Sequence, residues 1–172
     1  MSKEVTVTIA GGGSTYTPGI VQAILENPNQ LRIKELRLYD IDQVRQERMG
    51  YLIQALIKKN YPFSVRFLAT DNPEEAFTGA DFVFSQIRAG GLQMRETDEK
   101  IPLKYGCVGQ ETCGAGGFAY GLRSIKAFLP LVEKIIHYAP DAWILNYSIL
   151  SQLCQKQLHV NFQKQKLLMF VI

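Results

Sequence analysis

The 172-residue sequence predicts an α/β domain built as a doubly wound, mostly parallel sheet. Three observations lead there. Short β-rich runs alternate with helix-spaced amphipathic stretches through residues 1–148, and the links between them are short. The first strand runs into the first helix through the turn Gly11-Gly12-Gly13-Ser14-Thr15, and the second strand closes on Asp40. Such alternation is satisfied by parallel strands joined by right-handed crossovers.

Taken in order, Val5 to Ala10 reads as a strand, and Pro18 to Glu26 as a helix with Ile20, Ala23 and Ile24 on one face. Leu36 to Tyr39 is a second strand. Val44 to Lys59 is a second helix whose apolar stripe is Met49, Leu52, Ile53, Leu56 and Ile57. Val65 to Ala69 is a third strand, and Asp71-Asn72-Pro73-Glu74-Glu75 caps and opens a short helix. Asp81 to Ile87 is a fourth strand, apolar almost throughout, as expected where both faces of a sheet are covered. From Gly90 to Gly117 the periodicity fades, which predicts irregular structure with one helical turn over Met94 to Lys100. Phe118 to His137 is helical again and Ala142 to Tyr147 is a fifth strand.

Apolar residues make up 47% and charged residues 20% of the chain, values of a globular domain. A net charge of +3, with basic residues interspersed among acids, leaves no footprint for nucleic acid. No run approaches the roughly 18 apolar residues of a membrane span, and the start carries no signal-peptide pattern. Cys107, Cys113 and Cys154 match neither a zinc knuckle nor a redox pair. These features predict a cytoplasmic protein with small-molecule partners.

The glycine turn suits a nucleotide phosphate, because phosphate reaches a helix N-terminus only where the backbone approaches closely. Gly11 and Gly13 fit the Gly-x-Gly-x-x-Gly pattern, while Tyr16 stands at its third glycine. Asp40 is placed to accept a ribose hydroxyl. An ordinary tight turn with a surface aspartate is the plain alternative. Arg88, Arg95 and Glu111 follow the fourth strand, at the edge where open α/β sheets bind ligands. An arginine there can hold a phosphate in bidentate fashion; solvated surface charges are the alternative. His137 near a helix end is a charge partner for that end, and neither it nor His159 has a metal-ligand neighbour one helical turn away.

Four segments together resemble glycoside hydrolase family 4: Thr8-Ile9-Ala10-Gly11-Gly12-Gly13-Ser14-Thr15-Tyr16-Thr17-Pro18, Arg95-Glu96-Thr97-Asp98-Glu99-Lys100-Ile101-Pro102-Leu103, Gly109-Gln110-Glu111-Thr112-Cys113-Gly114, and Ala142-Trp143-Ile144-Leu145-Asn146-Tyr147-Ser148. Gln110 to Gly114, Ala119-Tyr120-Gly121 and Leu145 to Ser148 look more like the 6-phospho-α-glucosidase branch than the 6-phospho-β-glucosidase branch. The resemblance implies a Rossmann-like NAD-binding domain over residues 1–148. It also implies hydrolysis of phosphorylated disaccharides such as maltose 6'-phosphate by NAD-assisted oxidation, elimination, addition and reduction, outside the two-carboxylate scheme. Mn²⁺ or another divalent metal would take part, and the full-length family would form homo-oligomers. Carried onto this sequence, Gly11, Gly12, Gly13, Ser14, Thr15, Asp40 and Arg88 would hold NAD. Arg95 and Asn146 would bind substrate, and Glu111 would tune a tyrosine base.

Residues 149–172 depart from that pattern. They are rich in glutamine and lysine and hold no Asp, Glu, Gly or Pro. Where the family has a substrate-contacting asparagine stands Ile149, and where it has Asn-x-Cys-Asp, with the metal-binding cysteine and the general acid, stand Met169, Phe170, Val171 and Ile172. Apolar side chains serve neither role, so the chain as written is expected to bind no metal and to be inactive. Read one base out of frame, the tail permits Asn-Val-Cys-Asp at its last four positions, with the valine codon forced by Met169-Phe170. The expectation is a frame-shifted, truncated product after Ser148, with NAD binding without turnover as a second reading; a lineage-specific basic helix is the rival for the tail. Lys166 to Ile172 is apolar enough to supply a sixth strand.

Overall fold

The computed structural model describes residues 4–148 and 166–169. Among them the chain runs β1 (Glu4–Ala10), α1 (Thr17–Leu25), β2 (Arg32–Tyr39), α2 (Gln43–Asn60), β3 (Arg66–Thr70), α3 (Pro73–Phe77), β4 (Phe82–Ser85), α4 (Gly91–Leu103), α5 (Gly114–Tyr138), β5 (Trp143–Asn146) and β6 (Leu167–Met169). The strands form a 6-stranded sheet in the order β3-β2-β1-β4-β5-β6, and every pairing is parallel.

β1 lies at the centre and alternates between two cores. Val5, Val7 and Ile9 pack with Val21 and Leu25 of α1 and with Ile53 and Ile57 of α2. Ala10 belongs to the opposite core, with Phe77 of α3, Val83 of β4 and Phe128, Val132 and Ile135 of α5. Thr8 is fully buried, and its Oγ1 donates to the Ala76 carbonyl at 2.6 Å. Covering both faces explains the near-continuous apolar runs of β1 and β4.

β2 begins at Arg32 rather than Leu36. Its first half alternates polar and apolar residues, which hid it. Arg32 pairs with Glu4 at 3.1 Å, and Arg37 pairs with Glu35 at 3.0 Å while donating to the Thr78 carbonyl at the end of α3 at 2.7 Å. A guanidinium beside a helix C-terminus satisfies carbonyls that the helix leaves open.

Two further boundaries move. The segment expected to hold one helical turn is the 13-residue helix α4. Its polar surface carries no apolar stripe; the pairs Arg95–Glu99 and Glu96–Lys100, each one turn apart, support it instead. α5 starts at Gly114, four residues before the periodic stretch, because glycines lower helix propensity without forbidding the conformation. β4 is shorter than Asp81–Ile87, leaving Gln86 and Ile87 beyond the strand. Leu167–Met169 does supply the sixth strand, pairing with Ile144–Asn146. The rest of the tail, with Cys154 and His159, lies outside the described residues.

Winding outward from β1 to β3 and then crossing to β4 reverses the direction of the chain. The connections after β1 and β4 therefore leave on opposite sides and open a crevice at the carboxyl edge.

Candidate functional site

The glycine turn sits between the ends of β2 and β4 and is bonded to both. On the β2 side, the Gly11 and Gly12 N–H groups donate to the Tyr39 carbonyl at 2.8 and 3.0 Å. Asp40 continues this side: its Oδ2 accepts from the Gly13 N–H at 2.8 Å, and its Oδ1 accepts from the Asp42 N–H at 3.0 Å. Asp42 in turn caps α2, accepting from the Arg45 N–H at 3.1 Å. On the β4 side, Gln86 Nε2 donates to the Gly11 carbonyl at 3.2 Å and to Thr17 Oγ1 at 2.6 Å. Ser14 closes the turn through its N–H to the Gly11 carbonyl at 3.0 Å, and Thr15 is exposed beside it.

The first two glycines are required sterically. Gly11 has φ +87°, and a Cβ on Gly12 would stand 2.7 Å from Leu38 Cβ. The turn is thus pressed against the sheet edge, with the start of α1 facing outward.

Two cavities flank this turn. The larger, about 570 Å³, has Asp40 and Ile41 at one end and Arg88, Arg123 and Lys126 along its walls. The smaller, about 310 Å³, is lined by Ser14, Gln86, Arg88 and the rings of Tyr16, Tyr120 and Tyr147. Ile87 and Arg88 line both, so the two cavities adjoin at the carboxyl edge.

Arg88, which lines both cavities, meets Arg95 and Glu111, distant from it in sequence. Glu111 accepts from Arg88 through Oε1 and pairs with Arg95 through Oε2 at 3.2 Å; its side chain is 14% exposed. Arg95 also donates to Glu99 at 2.8 Å. That hydrogen bond, followed by the charge of Glu111, pushes the Arg95 pKa further up. Glu111 thus bridges two guanidiniums, one of which, Arg95, is shared with Glu99.

Residues without a sequence signature complete the wall. Tyr120 lies between the guanidiniums of Arg88 and Arg123, 5.9 and 5.7 Å from its ring centre. Arg123 pairs with buried Asp98 of α4 and donates to the Ala89 carbonyl at 3.1 Å, tying α5 to the turn after β4. Asn146 is fully buried in β5, and its Oδ1 accepts from the Ser148 N–H at 3.1 Å. His137 lies in the last turn of α5 against Tyr138, and Cys107 and Cys113 are exposed free thiols.

A dinucleotide fits these residues. The crevice lies at the carboxyl edge of the sheet, and Asp40 retains lone pairs after its two turn bonds. Among the described residues no group of three His, Cys, Asp or Glu stands together that could hold a metal ion. No described helix is long and apolar enough to cross a membrane.

Strand order, glycine turn and carboxyl-edge crevice define a Rossmann-like α/β protein. The model of the family 4 glycosyl hydrolases matches residues 6–169, and the chain belongs to that family. The 6-phospho-alpha-glucosidase 1 of Lacticaseibacillus paracasei is 54% identical over 146 residues, covering 85% of this chain and 33% of its own. A solved 6-phospho-alpha-glucosidase from gut microorganisms, in complex with NAD and Mn²⁺, matches 97% of this chain and 38% of its own, with a TM-score of 0.92 and 43% identity. The 6-phospho-beta glucosidase from Thermotoga maritima, with NAD and glucose-6-phosphate, matches 96% of this chain and 39% of its own at 0.85 and 34%. The chain thus spans about a third of the length of the curated relative.

Proposed function

We propose that this chain is the NAD-holding part of a 6-phospho-α-glucosidase. The observation that carries the proposal is the pair of cavities flanking the glycine turn, one lined by Asp40 and both by Arg88, which Glu111 joins to Arg95. The α branch is favoured by the identities to solved structures, 43% to the 6-phospho-alpha-glucosidase against 34% to the 6-phospho-beta glucosidase of T. maritima.

In this reading Asp40 accepts the adenosine ribose hydroxyls, and Gly11, Gly12, Gly13, Ser14 and Thr15 bring the pyrophosphate to the start of α1. Arg88 holds the cofactor where the two cavities meet. Arg95 binds the phosphate of the sugar, and Glu111 keeps both guanidiniums directed into the crevice. Asn146 supports the substrate side through the backbone turn at Ser148 rather than from the surface. NAD, when bound, supplies a hydride acceptor for the sugar.

Titration with NAD⁺ in a thermal-shift assay tests the binding. Saturation at 100 times Kd is expected to add about 2.7 kcal/mol of stability; no shift at millimolar NAD⁺ would sink the proposal. Hydrolysis of a nitrophenyl 6-phospho-α-glucoside with NAD⁺ and Mn²⁺ is expected to be absent for the 172-residue polypeptide. We read residues 149–172 as the product of a shifted frame, and the coding DNA decides this directly.

A further inference from the structure

We propose that Tyr16 is a cofactor-binding residue whose ring, with that of Tyr147, walls a slot for the nicotinamide ring of the dinucleotide. The inference rests on the reading that these cavities hold NAD.

The register of the sheet builds the slot. Ala10, Ser85 and Asn146 stand side by side at the ends of β1, β4 and β5. Two bonds carry the alignment past the strands: the Gln86 N–H donates to the Ala10 carbonyl at 2.9 Å, and the Tyr147 N–H to the Ser85 carbonyl at 2.8 Å. Gln86, Ile87 and Arg88 therefore form a floor, and the residues that follow β1 and β5 flank it. On the β5 side stands Tyr147; on the β1 side the glycine turn runs into Tyr16. Both tyrosines and this floor line the smaller cavity, about 310 Å³. β1 and β5 lie two strand spacings apart, roughly 9–10 Å. A flat ring in van der Waals contact with a wall on each side needs about 7–8 Å, so the slot seats one ring.

The two walls differ in support. Tyr147 stacks on Phe84, with ring centroids 5.7 Å apart and planes 13° from parallel. Phe84 packs in the core that holds Ile20 and Val21 of α1, so the Tyr147 ring lies on the side of the sheet where Tyr16 opens that helix. Tyr16 is 75% exposed, and no other aromatic ring stacks on it among the described residues. Its faces are thus open to a ligand in the cavity.

Asp40 lines the larger cavity and not this one. A dinucleotide whose adenosine ribose meets Asp40 and whose pyrophosphate crosses the turn brings its nicotinamide half to the smaller cavity. The nicotinamide is the flat aromatic group of that half, and in NAD⁺ it is a cation, which tyrosine faces attract. Arg88 does not oppose it, because Glu111 neutralises that guanidinium.

Calorimetric titration of the full 172-residue chain with NAD⁺, ADP-ribose and glucose 6-phosphate tests this. ADP-ribose keeps all of the dinucleotide except the nicotinamide. Tyr16→Ala is expected to weaken NAD⁺ binding about tenfold and to leave ADP-ribose binding unchanged. Tyr16→Phe, which keeps the ring, is expected to bind NAD⁺ like the unsubstituted chain. Should Tyr16→Ala not fold, Tyr16→Leu, which keeps apolar bulk without a π-face, takes its place with the same expectation. Equal weakening of NAD⁺ and ADP-ribose would assign the effect to the turn and overturn the inference, as would unchanged NAD⁺ binding. A loss confined to glucose 6-phosphate would give the wall to the sugar and overturn it too. Failure of the unsubstituted chain to bind both NAD⁺ and ADP-ribose overturns this inference and the NAD reading together.

Discussion

The Gly12 Cα hydrogen occupies space that no side chain can share, because Leu38 Cβ and Cα would lie 2.7 and 3.2 Å from an added Cβ. Those neighbours belong to the central sheet and cannot withdraw cheaply. Gly12→Ala is expected to destabilise the chain by about 1–3 kcal/mol in urea unfolding and to weaken NAD binding by lifting the turn. Glu35 makes a different prediction. The hydrogen bond from Arg37 holds its carboxyl below the ordinary value of 4.5, against burial, with the charges of Arg37 and Arg66 assisting. A carboxyl depressed in the folded state stabilises above its unfolded pKa, and that contribution is lost as pH falls through the lower folded value. Urea midpoints between pH 7 and pH 3 should therefore fall more steeply for the unsubstituted chain than for Glu35→Gln. At this scale Gly11 to Thr15 and Asp40 were legible, since residue type and place after a strand coincide. Gln86 was not: a glutamine after a strand becomes informative only when the turn from 69 residues earlier in sequence folds against it.

Among the elements, α5 lines the cavities and packs against α4, and a buried ion pair joins the two helices. Asp98 is 6% exposed and accepts from Arg123, whose remaining nitrogen holds the Ala89 carbonyl. Removing one partner of such a pair strands the other charge. Asp98→Ala is expected to cost about 3 kcal/mol, and Asp98→Ala with Arg123→Ala less than the sum of the single changes. A strictly additive double-mutant cycle would show that the pair carries no coupling. α4 escaped periodicity because its stability comes from ion pairs and this buried contact, not from an apolar stripe. α2, with a buried Ile53 and Ile57 on one face, was read almost to its ends.

Across the whole molecule, the sheet depends at one edge on residues from the atypical tail. Leu167–Met169 covers the β5 edge, and Lys166 supports it by accepting the Ile144 N–H through its carbonyl at 2.9 Å. Deleting residues 149–172 is expected to expose that edge and raise light scattering on heating, because an unpaired strand edge templates association; unchanged scattering would show that β6 is dispensable. Alternating periods and short links determined the α/β class and the parallel sheet from sequence, because each element's apolar pattern reflects its own burial on one or two faces. The glycine turn and the terminal acid of β2 determined where a nucleotide would bind. The meeting of Arg88 with Glu111 and Arg95, the clamp of Gln86 on the turn and the role of Tyr120 between two guanidiniums were decided by tertiary structure alone. Each joins side chains from separate crossovers, and the distance between such groups is fixed by how helices seat on the sheet, which no local pattern encodes.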